Sequence, residues 1–391
     1  MKRLLIIEPQ LSGHHFRYLE WITSAACEIG WQVTIATDQR FREHATLTSL
    51  TTRHADRLAV YFQDFSGTQN SGGFFKLVQR ETYYWKKLQI TFQELNTQNT
   101  IDHVLLPFAD ICLYALAINP RPFGKCRWSA IAMRPVFHCH EMGLSAKKPG
   151  ALTRIKELLF FRLANSPAIG KLCVIDPCLA EYVAKRRPQS RILYLQDPAD
   201  INVPAVSREQ ARCTLGLDTT RPIVMLYGAV DWRKGVRELL EAQASLPLEQ
   251  KPVVVVAGRQ TQAVRTWLAG EEWQQPIRDG RLKILDRFIT ADEESLLFCV
   301  CDVIWLGYRD HLGSSGVLWQ ALAFERPVIG CDEGLIGWLT RTKNLGVTVR
   351  VSDKQAVADA LRTFPKTANL ASGLSPLPGP DFAAHLLQAI G

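Results

Sequence analysis

The ten cysteines of this 391-residue sequence contain no CxxC pair, the spacing typical of zinc sites and redox-active thiols. Long apolar runs are missing too, since stretches such as VVVVA at 253–257 are far too short to cross a bilayer. The opening MKRLLIIEP has its apolar run cut short by glutamate and proline, which fits a β-strand better than a signal peptide. We therefore expect reduced, structural cysteines, no metal site and a cytoplasmic location, with peripheral attachment to the inner face of a membrane left open.

The composition is that of an ordinary globular protein, with 47% hydrophobic and 21% charged residues. The formal net charge of +8 favours acidic partners, which include nucleotide phosphates, anionic lipid and nucleic acid. The basic residues are dispersed and no nucleic-acid-binding module is visible, so we expect no nucleic acid partner.

A strand–helix–strand pattern opens the chain at 3–38. RLLII predicts a buried strand, and FRYLEWITSAACEIG predicts a helix with Phe16, Leu19, Ile22 and Ala26 on one face and Gly30 at its end. WQVTIATD predicts a second strand, parallel to the first. Further strands are predicted at HVLLPF (103–108), PVFHCH (135–140) and KLCVID (171–176).

Alternating strands and helices begin again after about residue 200, with strands predicted at PIVMLYG, PVVVVAG, RLKILDRF, CDVIWLGY and RPVIGC. The fold class predicted is α/β, with two doubly wound Rossmann-like domains at 1–198 and 199–391. The last helix is free to pack back on the first domain. Ligands of such sheets bind at the carboxyl ends of the strands, so the loops there are expected to face an interdomain cleft.

The first of these loops lacks the full GxGxxG of dinucleotide-binding proteins, because Pro9, Gln10 and Ser12 occupy the turn. That argues against a dehydrogenase. Gly13 would still let a substrate approach the backbone closely, and we expect it to bind substrate together with His14, which follows it.

A second loop, in YRDHLGSSGVLWQALAFERPVIG at 308–330, combines glycine and serine at the start of a predicted helix. Free backbone N–H groups and the helix dipole make such a loop an anion site. The same residues could instead form a simple N-cap, with Ser314 or Ser315 satisfying the helix end. The sequence alone leaves both interpretations open.

The ordered blocks YGAVDWRKGVRELLEA, VVVVAG, LDRF, CDVIWLGY and GSSGVLWQALAFERPVIG resemble the C-terminal domain of retaining GT-B glycosyltransferases. More narrowly, they are similar to the large family that includes sucrose synthases and bacterial mannosyl- and glucosyltransferases. SGHHFRYLEWITSAACEIGWQVTIAT resembles the first glycine loop, helix and second strand of that family. The resemblance implies a GT-B fold, a nucleoside diphosphate sugar donor, a UDP-sugar above all, and a glycan or lipid-linked acceptor. It implies no cofactor or metal.

The resemblance also implies site residues. Lys234 keeps the place of the family's lysine, and the arginine that follows the strand glycine, Gly228, is replaced by Ala229. The family's two glutamates, eight positions apart, correspond to Leu312 and Gln320. The expected donor-binding residues, with Arg233 and Lys234 as the catalytic cations, are Arg233, Lys234, Gly228, Gly313, Ser314, Ser315, Gly316, Gln320 and Phe288.

Within this set, the cations and the 313–316 loop would hold the diphosphate, although Arg233 and Lys234 could also be a solvated loop pair. Gln320 would accept hydrogen bonds from ribose hydroxyls, or it is a polar residue on a buried helix face. Phe288 corresponds to the position at which the family's backbone meets the base, and its side chain could serve only in packing.

VFHCHEMG at 136–143 carries two histidines at a predicted strand end. The family has a histidine followed by an acidic residue here, beside the donor sugar, which His140 and Glu141 match. His138 is the competing assignment, and a structural role for the pair is the alternative. A metal site would need a third ligand that the spacing does not supply.

The segment 74–92, FFKLVQRETYYWKKLQITF, is both aromatic and basic. It could be an interfacial helix on anionic lipid, or an amphipathic helix packed on the sheet through a stripe made of Phe74, Leu77, Tyr84, Leu88 and Phe92. Packing is favoured because most such stripes are core.

Two other functions remain open. The chain could be a non-catalytic GT-B subunit that binds a glycan or a protein. It could also be a nucleotide-sugar epimerase, which would need carboxylates such as Glu141, Asp231 or Asp310.

Overall fold

A computed structural model describes residues 1–10, 15–66, 74–199, 206–217, 220–363 and 375–391, with only the backbone of Phe74. The chain forms two compact units. Unit 1 comprises Met1–Met142, Lys147–Asp197 and Leu377–Gly391, and unit 2 comprises Gly143–Ala146 and Pro198–Pro376. Gly13 and His14 lie outside the described residues.

The strands are β1 (Arg3–Glu8), β2 (Gln32–Asp38), β3 (Leu58–Gln63), β4 (His103–Leu106), β5 (Arg127–Ala132), β6 (Ile169–Val174), β7 (Ile192–Tyr194), β8 (Pro198–Ala199), β9 (Ile223–Tyr227), β10 (Val253–Ala257), β11 (Leu282–Leu285), β12 (Val303–Leu306), β13 (Val328–Cys331), β14 (Gly346–Val349) and β15 (Leu377–Pro378).

The α-helices are α1 (His15–Glu28), α2 (Ala45–Arg53), α3 (Phe74–Gln98), α4 (Leu113–Ile118), α5 (Ala151–Ala164), α6 (Pro177–Arg186), α7 (Arg208–Thr214), α8 (Val236–Ser245), α9 (Gln262–Leu268), α10 (Glu271–Arg278), α11 (Ala291–Val300), α12 (Gly316–Ala323), α13 (Gly334–Thr342), α14 (Lys354–Thr363) and α15 (Gly379–Ile390).

Unit 1 is built on a seven-stranded parallel sheet in the order β3-β2-β1-β4-β5-β6-β7. Five of the six residues of β1 are buried, as expected for a strand covered by helices on both faces. Leu19, Ile22 and Ala26 of α1 are buried as well, and Gly30 adopts φ +88° just past the helix end. The strand order reverses between β1 and β4, which places a ligand-binding edge at their carboxyl ends.

Unit 2 repeats the design with six parallel strands in the order β11-β10-β9-β12-β13-β14. All five residues of β10 are buried, which explains its uninterrupted VVVVA. The strand order reverses between β9 and β12, so the loops that follow these two strands mark the ligand-binding edge of unit 2.

The strand predicted at 135–140 is wrong. The fifth strand is β5, at Arg127–Ala132, and 137–140 form a turn. Pro135 explains the error in part, because a residue without an N–H group cannot donate to a sheet interior. Of the strands given above, β5 was therefore missed, and β3, β7, β14 and the two-residue strands β8 and β15 were not predicted either. β3, β7 and β14 are edge strands and half-exposed, so none carries the continuous apolar run that marks a buried strand.

Helix α3 covers the aromatic and basic segment. Tyr84, Leu88 and Phe92 are buried in the core, so the packing interpretation is confirmed for these three residues. Among the described residues, none of the helices combines the length and apolar character needed to cross a bilayer. Helix α15 packs on α1 within unit 1, where the rings of Phe382 and Tyr18 lie 5.1 Å apart.

Candidate functional site

Two loops of unit 2 leave the sheet side by side at the carboxyl ends of β9 and β12. The first, 228–235, contains a turn of 3₁₀ helix at Trp232–Lys234, and the second, 307–315, leads into α12. One hydrogen bond joins the two loops, from the Arg309 N–H to the Arg233 carbonyl over 2.7 Å. A second ties the first loop to β12, from the Trp305 indole N–H to the Lys234 carbonyl over 2.9 Å. The two predicted phosphate-binding segments are therefore held as one structure.

Lys234 is the buried cation of this structure, with a residue exposure of 6%. Its ammonium donates to the Tyr227 carbonyl over 2.6 Å and to the Tyr308 hydroxyl over 2.8 Å. No carboxylate among the described residues lies within 4.0 Å of it. A buried charge that lacks a counter-ion is costly, so this arrangement favours an anionic ligand as the missing partner.

Gly228 makes room for that ammonium. The residue adopts φ +106°, and a Cβ at this position would lie 3.0 Å from the Lys234 Nζ atom. Both the backbone conformation and the close approach of the lysine therefore require glycine here.

Ser315 joins the same group of side chains. Its hydroxyl lies 3.3 Å from the Tyr308 hydroxyl, and it occupies the N-cap position of α12 without making a capping hydrogen bond. The Ser314 hydroxyl accepts a hydrogen bond from the Trp319 indole over 3.1 Å. The start of α12 thus receives no side-chain cap from Ser315, and its amide groups and dipole suit an anion.

Arg233 lies on the exposed side of the site. Its guanidinium is 3.1 Å from the Nδ1 atom of His311 and 3.7 Å from the Asp231 carboxylate. The other ring nitrogen of His311, Nε2, lies 3.0 Å from the Ser314 carbonyl. A second chain of contacts therefore links the 228–235 loop to the Gly/Ser loop. An exposed ion pair of this kind contributes little to stability, which leaves Arg233 available to a ligand.

Two further predicted donor residues differ in their burial. Gln320 is buried in α12, and Phe288, just beyond β11, has 70% of its surface exposed and so does not serve in packing. Gly313 and Gly316 belong to the loop and the helix start, and a Cβ on Gly316 would meet nothing within 4 Å.

Sequence reasoning missed Tyr308 and His311, which connect the residues it did find. Both lie within five residues of the end of β12, and their place after a strand of a parallel sheet could have indicated a role in the site.

Unit 1 has a buried polar pair at the carboxyl end of β1, which the sequence did not suggest. One oxygen of the Glu8 carboxylate accepts from the Gln10 N–H over 3.0 Å, and the other lies 3.4 Å from the Nδ1 atom of His15. Burial raises the pKa of the Glu8 carboxyl, and the contact with His15 opposes that rise. The pair lies immediately beside the first βα turn, where Gly13 and His14 were predicted to bind substrate.

The two histidines of HCHE have different surroundings. His138 is fully buried, and its Nε2 atom lies 3.0 Å from the Asp176 carboxylate. Asp176 also caps α6 by accepting from the backbone N–H groups of Cys178 and Leu179. His140 is only half-buried, and the neighbouring Glu141 pairs with Arg186 on the surface. No strand runs through these residues, so the two histidines do not lie at a strand end as predicted.

No group of three histidine, cysteine, aspartate or glutamate side chains that could hold a metal ion occurs in the part of the chain that the structure describes.

No protein-family model matches the sequence, and no curated protein matches it. Solved structures do match along the whole chain. Sucrose-phosphate synthase from Thermosynechococcus elongatus is 14% identical, with a TM-score of 0.66, over 100% of this chain and 96% of that one. HepE from Anabaena, in complex with UDP and glucose, is 16% identical, with a TM-score of 0.59, over 100% of this chain and 97% of that one.

A third similar structure is a Listeria monocytogenes protein named for UDP-N-acetylglucosamine 2-epimerase activity. It is 12% identical, with a TM-score of 0.61, over 99% of this chain and 94% of that one. Identities this low show a common fold and nothing further. The fold of the chain is GT-B, with two Rossmann-like units, and the predicted fold class is confirmed.

Proposed function

We propose that this chain is a metal-independent, retaining glycosyltransferase that moves a hexose from a UDP-sugar to a glycan or a lipid-linked acceptor. The observation that carries the proposal is the buried ammonium of Lys234, which has no carboxylate partner among the described residues and lies where the strand order of unit 2 reverses. A diphosphate at this edge would supply the missing negative charge.

The chemistry follows from where charge develops. When the bond between the sugar carbon C1 and the phosphate oxygen breaks, negative charge grows on the departing oxygen. Lys234, Arg233 and the amide groups at the start of α12 are fixed donors that would stabilise it. The new bond forms between C1 and the acceptor oxygen on the same face. The acceptor proton passes to the departing phosphate oxygen, so no protein carboxylate is needed as a base.

The choice of nucleotide rests on a similar structure. HepE, which shares the fold, has been solved with UDP and with UDP-glucose, and this supports UDP as the nucleotide. Gln320, in place of a glutamate, would receive the ribose hydroxyls through its amide oxygen. His140 in unit 1 would contact the transferring sugar.

The deciding experiment offers the chain a panel of UDP-sugars with and without acceptor glycans, and measures both UDP release and the sugar product. Acceptor-dependent release of UDP is expected. Conversion of the donor into its epimer without UDP release would establish the epimerase alternative. UDP binding without any turnover across the panel would support the non-catalytic subunit.

Activity is expected to survive an excess of EDTA, because cationic side chains and a helix N-terminus carry the charge that a divalent ion would otherwise neutralise. The measurement is UDP release before and after chelation, followed by addition of Mn²⁺ or Mg²⁺. A complete loss that either metal restores would contradict a metal-independent site.

Gly228→Ala is expected to weaken UDP binding by roughly tenfold or more, because the new Cβ displaces the Lys234 ammonium and disturbs its contact with the phosphate. Gly280→Ala is the control, since Gly280 also has a positive φ of +68° but nothing lies within 4 Å of its Cβ position. Strain at a left-handed residue costs about 1–2 kcal/mol, so both variants should lose some stability. Equal UDP affinity in both variants would show that Gly228 has no part in positioning the lysine.

A further inference from the structure

Helix α5 exposes a row of large apolar side chains on the surface of unit 1. Leu152, Ile155 and Leu158 are 43%, 52% and 69% exposed. They are spaced three residues apart and so lie on one side of the helix. The C-terminal end of α5 is anchored in the core, where Phe160 and Leu163 are fully buried. The exposed row therefore belongs to a helix that the core of unit 1 holds in place.

The same surface is positively charged. Arg154 and Arg162 are exposed on α5, and Lys148 is exposed in the segment that leads into it. None of the three has a carboxylate within 4.0 Å among the described residues. The only acidic residue of the helix, Glu157, accepts a hydrogen bond from the Tyr182 hydroxyl over 2.6 Å. We call these three apolar and three basic residues the α5 surface.

We propose that the α5 surface binds the interface of an anionic lipid bilayer. Apolar side chains flanked by unpaired arginine and lysine are the combination by which a helix lies in the plane of a membrane, with its apolar side in the acyl boundary and its cations among the phosphates. A soluble anion would pair with the basic side chains and leave the apolar row in water. A bilayer interface would bind both the basic and the apolar side chains, and this requires no membrane-spanning helix.

The sequence pointed to a different helix for such a contact. Tyr84, Leu88 and Phe92 of the α3 stripe are buried. The large apolar side chains that α3 exposes, Phe75, Val78 and Ile90, are spread over 16 positions, whereas those of α5 lie within 7. Binding through α5 should be reversible and sensitive to salt, because each basic residue near an anionic surface strengthens it only about fivefold and the attraction is screened.

The test is flotation of the full chain with vesicles of phosphatidylcholine alone or with about one-third phosphatidylglycerol, at low and at high salt. Binding to the anionic vesicles, weakened by salt, is expected. Ile155→Asp combined with Leu158→Asp should reduce it at least tenfold, because buried carboxylates are repelled by the phosphates and costly in the acyl boundary. Arg154→Ser combined with Arg162→Ser should also reduce it roughly tenfold or more.

Leu248→Asp is the matched control, since Leu248 is 59% exposed in unit 2 and should not affect vesicle binding. Melting temperatures show that each variant is folded, which is expected because all the changed residues are exposed. Lack of binding to anionic vesicles, or binding that both double variants retain, overturns the proposal. So does self-association of the chain that only Ile155→Asp with Leu158→Asp abolishes, because a second copy would then cover the surface. Vesicle binding needs no donor sugar, so this result does not depend on the proposed transfer reaction.

Discussion

Lys234→Met is expected to slow UDP release from the donor about a hundredfold, while the folded chain stays as stable as before or becomes more stable. Methionine fills a similar volume without a charge. The folded state without ligand bears the cost of a buried ammonium whose partners are two neutral oxygens, of Tyr227 and Tyr308. Replacing buried charge by apolar groups is often neutral or stabilising. If Lys234 instead served stability, Lys234→Met would lower the melting temperature and leave turnover unchanged.

The measurement combines turnover with the melting temperature in the absence and presence of UDP. A ligand at a hundred times its dissociation constant stabilises a protein by about 2.7 kcal/mol, which corresponds to a rise of several degrees for a unit of this size. The parent chain should show that rise, and Lys234→Met should lose most of it.

Lys283→Met provides the control for this experiment. Lys283 is a half-buried lysine of unit 2 whose ammonium, like that of Lys234, donates to a main-chain carbonyl, that of Leu215, over 3.0 Å. This variant should keep both the turnover and the response to UDP. If Lys234→Met kept its turnover, or lost stability while its UDP response stayed intact, Lys234 would be a structural residue and the proposed phosphate site would be wrong.

The sequence was sufficient for most of the buried strands, although it missed β5. RLLII, VVVVA and PIVMLYG each became a central strand because a parallel sheet covered on both faces needs continuous apolar residues. The edge strands β3, β7 and β14 were missed because exposure lets polar residues into them. PVFHCH was misassigned because it is as apolar as a strand although its residues form a buried turn. Burial can be read from composition, whereas the local backbone shape of a buried segment cannot.

The residues of the candidate site could likewise be predicted only in part. Glycine, serine, lysine and arginine at strand ends could be identified from the sequence, since strand ends are where such sheets bind ligands. The tyrosine that joins Lys234 to Ser315 could not, because its role depends on two loops 74 positions apart meeting at one hydroxyl. The Glu8–His15 pair was hidden for a related reason, since a glutamate at the end of a strand gives no sign that it is buried.

Replacement of His140 by alanine should lower turnover, whereas the same replacement of His138 should lower stability. His140→Ala is expected to lower turnover by roughly a hundredfold with little loss of stability, because its half-exposed ring would contact the transferring sugar as positive charge develops there. His140→Gln keeps a hydrogen-bond donor and should recover part of the rate. His138→Ala should instead destabilise unit 1 by about 2–4 kcal/mol, because it leaves a cavity and removes a partner of the buried Asp176 carboxylate.

Rate and melting temperature must therefore be measured together on each variant, with rates expressed per folded molecule. His138→Ala should melt roughly 5–10 °C lower, yet the fraction that stays folded should transfer sugar at close to the parent rate. Transfer to an acceptor and hydrolysis of the donor by water should also be measured separately. A histidine beside the transferring sugar should affect both rates alike. If His138→Ala were the inactive variant and His140→Ala were normal, the buried histidine beside Asp176 would be the functional one, and unit 1 would have to open to expose it. If both variants only melted early, the HCHE segment would serve the fold of unit 1 alone, and the sugar contact would have to be sought at another residue of that unit.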